Sequence, residues 1–353
     1  MSLDYRSLMD QAADLARPEH PHPNPRVGTV IVAPGGAIVG RGAHVAAGMP
    51  HAEIHALREA GEAAAGASVF VTLEPCSHQG ATPPCTDALI AAGVARVVIG
   101  IEDPDRRVSG AGITSLRRAG IEVEMDPQPD LFEAVDPGYF HHRRTGRPRV
   151  TLKLAMTLDG QTAAADGTSQ WITSEEARRD AHELRSRSDA VMVGAGTIIA
   201  DDPRLTVRFD GLDDLGNRQP RPIVVAGRRP LPVAAKVFDR NPIVYAPLPL
   251  DLPGEVVVVG DGPRVDLGGV VADLGGRNVV DLLVEGGAAL AAGLEGANLV
   301  DRYVLYLSGA IAGGVGRPAF DSVFETIGDQ HRLEMLDVRR IGPDLRIEAR
   351  RQR

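Results

Sequence analysis

The sequence predicts an α/β protein built from two domains. Its 353 residues exceed what one hydrophobic core usually holds. Short apolar runs rich in β-branched residues, such as 68–73 and 96–100, alternate with stretches of helical periodicity, such as 52–60. A polar, basic stretch with Gly and Pro at 141–148 interrupts this alternation, and we expect the linker there. The predicted domains are therefore residues 1–145 and 149–353.

Composition narrows the class of protein. Hydrophobic residues make up 43% of the chain and charged residues 24%, which is ordinary for a globular protein. The net charge of −9, with no basic block, argues against a nucleic-acid partner. No apolar run is long enough to cross a bilayer, and the first residues lack the apolar core of a signal peptide. We expect a cytoplasmic enzyme with no membrane partner.

In the first domain, helical spacing over 4–17 predicts an opening helix, and 29–33 and the run ending at 39 predict a hairpin turning at 34–36. The later elements alternate between helix and strand. They are predicted at 52–60 (helix), 68–73 (strand), 86–92 (helix), 96–100 (strand), 115–119 (helix) and 121–123 (strand).

The two cysteines of the chain, Cys76 and Cys85, fall in this domain together with His51 and Glu53. One imidazole and two thiolates supply three zinc ligands and leave a fourth position open, as catalytic sites do. Zinc lowers the pKa of a bound water, and a nearby carboxylate such as Glu53 can move its proton. The pattern is similar to the signature of zinc-dependent nucleobase deaminases, although eight residues separate the cysteines here where the common form has two.

Three other interpretations compete with a zinc site. The cysteines can be ordinary buried thiols, His51 can be a packed core histidine, and the thiols can form a disulfide. The conjunction of His-x-Glu, Glu-Pro-Cys and a second Cys disfavours the first two. The absence of a secretory signal favours a reducing compartment over a disulfide.

In the second domain, strands are predicted at 149–155, 189–194, 222–226, 256–259 and 281–285. A helix capped by Ser174 should run to Arg185, and another should cover 288–292. The glycine turn at 286–287 precedes this last helix, where backbone amides can hold a phosphate. The spacing is not the Gly-x-Gly-x-x-Gly pattern, so spacing alone does not predict a nicotinamide cofactor.

Longer motifs identify a resemblance. Residues 23–28 (PNPRVG), 51–53 (HAE) and 72–85 (TLEPCSHQGATPPC) resemble the deaminase half of the bifunctional riboflavin-biosynthesis deaminase/reductase family. The resemblance implies a cytidine-deaminase-like α/β/α domain with Zn²⁺ on His51, Cys76 and Cys85 and proton transfer by Glu53. It also implies that Asn24 and His44 contact substrate. The alternative interpretation of Asn24 is that it is only a turn residue, and that of His44 is that it lies at the surface.

The second half resembles the reductase half of the same family. The matching stretches are 153–160 (KLAMTLDG), 169–172 (SQWI), 194–197 (GAGT), 201–208 (DDPRLTVR) and 285–287 (EGG). The resemblance implies a dihydrofolate-reductase-like α/β domain that uses NADPH. By position, the cofactor contacts are Ala155, Trp171, Thr197, Asp201 and Gly287. The substrate contacts are Lys153, Ser169, Arg185, Leu205, Arg208 and Glu285. Lys153 and Asp201 are also the ionisable candidates near the hydride acceptor.

The chain departs from the family pattern at three places. Ala81 stands where the family usually carries Lys or Arg, and Asp105-Arg106 replaces the usual Asn-Pro. If the usual cation meets the substrate phosphate, Arg106 or Arg107 is our hypothesis for its replacement. The third departure is Ser308-Gly309-Ala310, where the family commonly has Ala-Pro-Lys.

The predicted function is bifunctional. The first step is hydrolytic deamination of 2,5-diamino-6-(5-phosphoribosylamino)pyrimidin-4-one to 5-amino-6-(5-phosphoribosylamino)uracil. The second is NADPH-dependent reduction of the ribosyl group to ribityl. The alternatives are a related pteridine- or purine-like substrate, or one half retained only as a binding module. The partner is thus a small phosphorylated pyrimidine, and the sequence leaves open whether the chain forms a homo-oligomer.

Overall fold

The computed structural model describes residues 4–80, 83–106, 108–208, 218–227, 229–322 and 325–352. The chain divides into two compact units, Met1–Gly146 and Arg147–Arg353. Among the described residues, no helix has the length and apolar character that a membrane span requires.

The first unit is a five-stranded sheet with helices packed on it. Its strands lie in the order β2-β1-β3-β4-β5, with β1 antiparallel to both neighbours and β3, β4 and β5 parallel. The helices are α1 Tyr5–Ala16, α2 Ala52–Ala60, α3 Cys85–Ala91, α4 Ala111–Arg118, α5 Pro129–Glu133 and α6 Pro137–Thr145. The strands are β1 Gly28–Val32, β2 Ile38–Ala43, β3 Ser68–Leu73, β4 Arg96–Ile101 and β5 Glu122–Met125. A 3-10 helix covers Gly61–Ala64.

Local signals explain the first elements. The Asp4 carboxylate accepts a hydrogen bond from the backbone N–H of Ser7 and so caps α1. Leu8 and Met9 on the buried face of α1 join Phe70 of β3 in one core cluster. The predicted hairpin is confirmed, with Val30 of β1 opposite Arg41 of β2.

The boundary between the two units falls inside the predicted linker at 141–148, between Gly146 and Arg147, but most of this stretch is helical, because helix α6 continues through Thr145. The Asp136 carboxylate accepts from the N–H of Tyr139, Pro137 occupies the first turn, and Gly146 closes the helix with φ of 74°. These are ordinary start and stop signals of a helix. The basic residues that suggested a linker occupy the last turn, where they complement the helix dipole.

The second unit contains a nine-stranded sheet in the order β11-β10-β9-β8-β12-β6-β13-β16-β15. Its strands are parallel from β11 to β13, and β16 and β15 continue it antiparallel. The main strands are β6 Arg149–Thr157, β8 Ala190–Gly194, β9 Arg221–Val225, β10 Ile243–Ala246, β11 Glu255–Val258, β12 Asp281–Val284, β13 Arg302–Ser308, β15 Leu333–Ile341 and β16 Asp344–Arg351. Strands β7 Gln161–Ala163 and β14 Arg317–Pro318 form a separate antiparallel pair. The helices are α7 Glu175–Ser186, α8 Ala195–Asp201, α9 Leu267–Gly276 and α10 Ala288–Gly296, with 3-10 turns at Lys236–Arg240 and Ile327–Asp329.

Both faces of this sheet are buried along its parallel part. Successive residues of β8 belong to different core clusters: Met192 packs with residues of α9 and α10, whereas Val191 and Val193 pack in a second cluster. This alternation follows from the period of two in a strand, and apolar residues on both faces are typical of parallel sheets. The predicted Ser174 cap is confirmed, since its hydroxyl accepts from the N–H of Ala177.

Candidate active sites

The first candidate site lies where three segments of the first unit meet. His51 directly precedes α2, Glu53 stands in the first turn of α2, and Cys85 is the first residue of α3. Cys76 follows three residues after the end of β3. The sequence thus delivers these side chains from element ends, where loop backbone turns them toward one point.

The side-chain atoms at this point are close enough to share a metal ion. The Nδ1 atom of His51 lies 3.1 Å from Sγ of Cys85 and 3.6 Å from Sγ of Cys76. All three potential ligand atoms lie within 4.8 Å of one another. The backbone N–H of Cys85 points at Sγ of Cys76, 3.4 Å away, and both cysteines are free thiols rather than a disulfide. One imidazole and two thiols in this arrangement fit a zinc ion with one open coordination position.

Burial and neighbouring charge shift the acids and bases of this site. Burial, together with the nearby Cys76 thiolate, raises the pKa of Glu53 to about 7. The hydrogen bond with Cys76 raises the pKa of His51. The hydrogen bond from the Cys85 thiol lowers the pKa of Cys76, so Cys76 is the thiol that ionises first. Glu53 therefore titrates near neutrality, as a residue that both takes and gives a proton must.

A cavity of about 200 Å³ opens over this cluster. The predicted substrate residues Asn24 and His44 both line it, joined by a 3.0 Å hydrogen bond between Nδ2 and Nε2. His44 is buried, so the surface alternative for this residue is wrong. Its other ring nitrogen lies 3.1 Å from the carbonyl oxygen of Pro50, next to His51.

Three residues of the cavity wall were assigned no role from the sequence. Asp103, Tyr139 and Arg143 line it, and the Tyr139 hydroxyl donates to Asp103 at 3.0 Å. Burial raises the pKa of Asp103 to about 6. Tyr139 and Arg143 sit on α6, far along the chain from the motifs and inside the stretch interpreted as domain end and linker. The helical pattern of 137–145 could have placed Tyr139 and Arg143 on a helix, but it does not indicate which site that helix packs against.

Glu74, from the Glu-Pro-Cys motif, also lines the cavity, but its carboxylate is hydrogen-bonded to backbone N–H groups. Its carboxylate accepts four backbone N–H bonds, at 2.8–3.3 Å, from Asp103, Gly110, Gly112 and Ile113. It therefore ties the loop after β4 and the start of α4 to the cysteine loop. Of the departures noted in the sequence, Ala81 and Arg107 lie outside the described residues, and Arg106 is exposed and does not line the cavity.

The second candidate site lies in the second unit at the carboxyl ends of neighbouring strands. β12 ends at Val284, which pairs with Leu152 of β6 and Met192 of β8, so Glu285 follows beside Lys153. Arg185 of α7 binds the Glu285 carboxylate with two hydrogen bonds of 2.9 Å. Nζ of Lys153 lies 4.0 Å from Oε2 of Glu285. Ligands of open α/β sheets bind at such strand ends.

Charge pairing decides which of these groups is ionised. Burial alone would raise the pKa of Glu285, but Arg185 and Lys153 outweigh it and leave the pKa at about 2. Burial lowers the pKa of Lys153, against the attraction of Glu285. His182, a residue that the sequence analysis missed, has a pKa lowered to about 3 by burial and by Arg185. His182 is thus neutral, and its Nδ1 accepts the backbone N–H of Arg208 at 3.3 Å.

The other predicted residues of the second unit are placed as follows. The hydroxyl of Ser169 hydrogen-bonds Asp201, whose pKa burial raises. Trp171 is 66% exposed, with the Arg178 guanidinium carbon 4.4 Å from its ring centroid. Leu205 is buried at φ of 54°, Thr197 stands in α8, and Ala155 lies in β6 opposite Tyr306. The side chain of Arg185 is engaged by Glu285 and by the Thr206 carbonyl, whereas Arg208 is exposed.

The glycine turn before α10 is shaped by close packing at its first residue. A Cβ on Gly286 would lie 2.6 Å from Leu290, whereas nothing lies within 4 Å of one on Gly287. Gly287 caps α10 with no side-chain hydrogen bond. No side chain at the N-cap therefore competes for the first backbone N–H groups of α10, and helix N-termini of this kind can hold an anionic group.

Two family models match the chain. Residues 3–101 match the cytidine and deoxycytidylate deaminase zinc-binding region, and residues 148–347 match the RibD C-terminal domain. Riboflavin biosynthesis protein RibD of Escherichia coli is 42% identical over 340 residues, which cover 92% of each chain. The Mycobacterium tuberculosis RibD is 39% identical over 98% of each chain.

Two solved structures resemble this chain over nearly its full length. Acinetobacter baumannii RibD superposes with a TM-score of 0.92 at 37% identity, and the match covers 99% of both chains. A Thermotoga maritima protein, described as a diaminohydroxyphosphoribosylaminopyrimidine deaminase and 5-amino-6-(5-phosphoribosylamino)uracil reductase, has a TM-score of 0.84 at 31% identity over 99% of both chains. The predicted fold class, a cytidine-deaminase-like domain followed by a reductase domain, is confirmed. This chain belongs to the RibD family of riboflavin-biosynthesis proteins, and it is a bifunctional enzyme with a deaminase and a reductase.

Proposed function

We propose that the first unit removes ammonia from 2,5-diamino-6-(5-phosphoribosylamino)pyrimidin-4-one and that the second reduces the ribosyl group of the product to ribityl with NADPH. The T. maritima relative is described by these two activities. The observation that carries the proposal for this chain is the cluster of His51, Cys76 and Cys85, whose ligand atoms lie within 4.8 Å of one another.

In the first unit, His51, Cys76 and Cys85 would hold Zn²⁺, with Glu53 beside them. When bound, the ion would act as a Lewis acid and make water a nucleophile at neutral pH. Glu53, with its pKa raised to about 7, takes the proton that the water loses and gives it to the departing amine. Water adds to the ring carbon, the exocyclic C–N bond breaks, and ammonia leaves. The hydrogen-bonded pair Asn24 and His44 would orient the ring in the cavity.

In the second unit, NADPH would supply the hydride that reduces the sugar. The turn at Gly287 and the start of α10 suit its phosphates, and Ala155, Trp171, Thr197 and Asp201 are the proposed remaining contacts. On the substrate side, Arg208 offers an exposed guanidinium for the sugar phosphate. Ser169 and Leu205 are proposed further contacts. Arg185 acts through Glu285, since its donors are already engaged by that carboxylate.

The test is a paired assay on the full, zinc-loaded chain, in which ammonia release and NADPH oxidation are followed in one sample. In Glu53→Gln, ammonia release should fall by about 10²–10⁴-fold, because the proton carrier is lost. NADPH oxidation with supplied deaminated intermediate should persist. Zinc content of the variant should equal that of the wild type, since Glu53 is not a proposed ligand.

Glu62→Gln, which changes an exposed carboxylate just after α2, is the matched control and should keep both signals. Ammonia release by Glu53→Gln at the wild-type rate would refute the proposed role of Glu53. Ammonia release without NADPH oxidation in the wild type would refute the proposal for the second unit.

A further inference from the structure

The cavity of the first unit is lined by more negative than positive groups. Glu53, Glu74, Asp103 and Asp105 all face it. Among the described residues that line it, Arg143 is the one arginine or lysine. A substrate that carries a phosphate dianion needs a cation somewhere in this wall, because burying an unpaired anion beside carboxylates is costly.

Hydrogen bonds and a ring contact hold the guanidinium of Arg143 in place. Nη2 donates to the carbonyl oxygen of Pro23 at 2.8 Å, and Nη1 lies 3.0 Å from Nδ1 of His142. The guanidinium carbon lies 4.9 Å from the ring centroid of Tyr139. The planar group is thus fixed before any ligand arrives, so little rotamer entropy remains to be lost on binding.

One N–H of this fixed group has no acceptor. Nε is buried and makes no hydrogen bond within the described part of the chain. The carboxylate oxygen Oδ2 of Asp105 forms an ion pair with Nε at 3.8 Å, but this distance is too long for a hydrogen bond. Buried donors in native proteins are nearly always paired, so an unmatched guanidinium N–H in a cavity wall calls for a ligand acceptor. Phosphate oxygens match the guanidinium fork in geometry and charge.

We propose that Arg143 binds the phosphate of the pyrimidine substrate in the deaminase cavity and thereby sets the preference for a phosphorylated substrate. The inference rests on the proposed deaminase function and adds to it the residue that recognises the phosphate. Our hypothesis named Arg106 or Arg107 for this role; Arg106 does not line the cavity, and Arg107 lies outside the described residues.

The test compares the phosphorylated pyrimidine with its dephosphorylated counterpart in the ammonia assay. In Arg143→Met, KM for the phosphorylated substrate should rise by about 10- to 100-fold, which corresponds to one charge-assisted hydrogen bond. KM for the dephosphorylated substrate should change much less, so the variant should lose most of its preference for the phosphorylated substrate. Arg143→Lys should recover part of it. Arg144→Met removes the neighbouring arginine, which pairs with Glu133, and should behave as wild type.

A purely structural role of Arg143 predicts something else. If it served only to hold the Pro23 carbonyl, Arg143→Met would impair both substrates equally through kcat and KM. An unchanged ratio of kcat/KM values between the two substrates therefore overturns the proposal. Zinc content, measured in each variant, separates loss of the fold from loss of phosphate binding.

A binding measurement separates this inference from the proposed activity. Ribose 5-phosphate is titrated calorimetrically into Arg208→Met, in which the proposed phosphate contact of the second unit is gone, and into Arg143→Met/Arg208→Met. We expect binding to the first and its loss in the second. Equal binding, or none in either, overturns the proposal. If wild type releases no ammonia from either pyrimidine, the proposed function fails while this titration still decides the role of Arg143.

Discussion

Lys153, Arg185 and Glu285 form a buried ion set in which each charge depends on the others. The Arg185 and Glu285 side chains are 9% and 13% exposed and share two hydrogen bonds. Water screens such a pair little, so the Coulomb attraction offsets the cost of burying both ions. Removal of one partner leaves the other charged and unpaired.

Glu285→Gln should therefore lower the free energy of unfolding of the second unit by about 3 kcal/mol. Urea unfolding can be followed by the fluorescence of Trp171, the one tryptophan of the sequence, which lies in this unit. Glu255→Gln is the control, because Glu255 pairs with Arg277 at the surface with 43% exposure. Its loss should stay below about 1 kcal/mol. Similar losses in both variants would contradict the argument.

The lowered pKa of Glu285 predicts that the stability of the second unit depends on pH. The pKa of Glu285 is lowered from 4.5 to about 2 in the folded unit. Between these values the unfolded state binds more protons, so stability falls as pH falls. The contribution, about 3 kcal/mol for a shift of this size, is complete above pH 4.5 and is lost towards pH 2. The stability difference between wild type and Glu285→Gln should thus shrink from pH 7 to pH 3. An equal difference at both pH values would exclude this titration.

Single residues were predictable from sequence where the chemistry is carried by a rare type. The sequence has only two cysteines, and both follow a His-x-Glu motif, so few interpretations of these residues were possible. Arg143 and His182 were not predictable, because arginine and histidine are common and these two reach their sites only through the packing of α6 and α7. The pairing of Arg185 with Glu285 spans 100 residues and likewise has no local signal.

Among the elements of the first unit, the hairpin of β1 and β2 is packed unusually close to the helices. A Cβ on Gly28 would lie 1.9 Å from the carbonyl oxygen of Ala12 in α1, and one on Gly42 would lie 2.1 Å from that of Ala52 in α2. Backbone therefore touches backbone at both contacts. Ala52 stands between His51 and Glu53, so the contact at Gly42 fixes the distance between the sheet and the first turn of α2, which carries these two residues.

Gly42→Ala should displace the first turn of α2 and cost about 1–3 kcal/mol of stability through overpacking. Because His51 moves with that turn, zinc affinity should fall as well, which chelator competition measures. Gly35→Ala is the matched control, since nothing lies within 4 Å of its Cβ and its φ is outside the left-handed region. Gly35→Ala should keep both properties. If Gly42→Ala were as stable and as tight for zinc as Gly35→Ala, the close contact would not position the turn.

The elements that sequence predicted are those with strong local periodicity. The helix at 52–60 and the strand at 68–73 have the predicted bounds. Helix α9 was missed because four of its ten residues are glycines, which weaken a helical pattern. Strand β15 was missed because nearly all of its side chains are exposed, so it lacks the alternation of a half-buried strand.

At the scale of the whole molecule, each unit has its own sheet and its own hydrophobic clusters. The clusters of α1 with β1 and β3 belong to the first unit, and those on the two faces of the nine-stranded sheet belong to the second. The two family models also divide the chain, at 3–101 and 148–347. We expect the units to unfold in separate transitions, because a domain with its own core is a cooperative unit.

Zinc removal tests this organisation. The proposed ligands His51, Cys76 and Cys85 all lie in the first unit, and a metal that binds only the folded state stabilises it by about 4 kcal/mol at a thousandfold excess over its Kd. Chelation by dipicolinate should therefore lower the Tm of one calorimetric transition and leave the transition seen by Trp171 in place. In Cys85→Ser the chelator should have little effect, because the ligand set is already broken. A shift of the Trp171 transition on chelation would mean that the second unit depends on the metal, and no shift in either would argue against zinc at the cysteines.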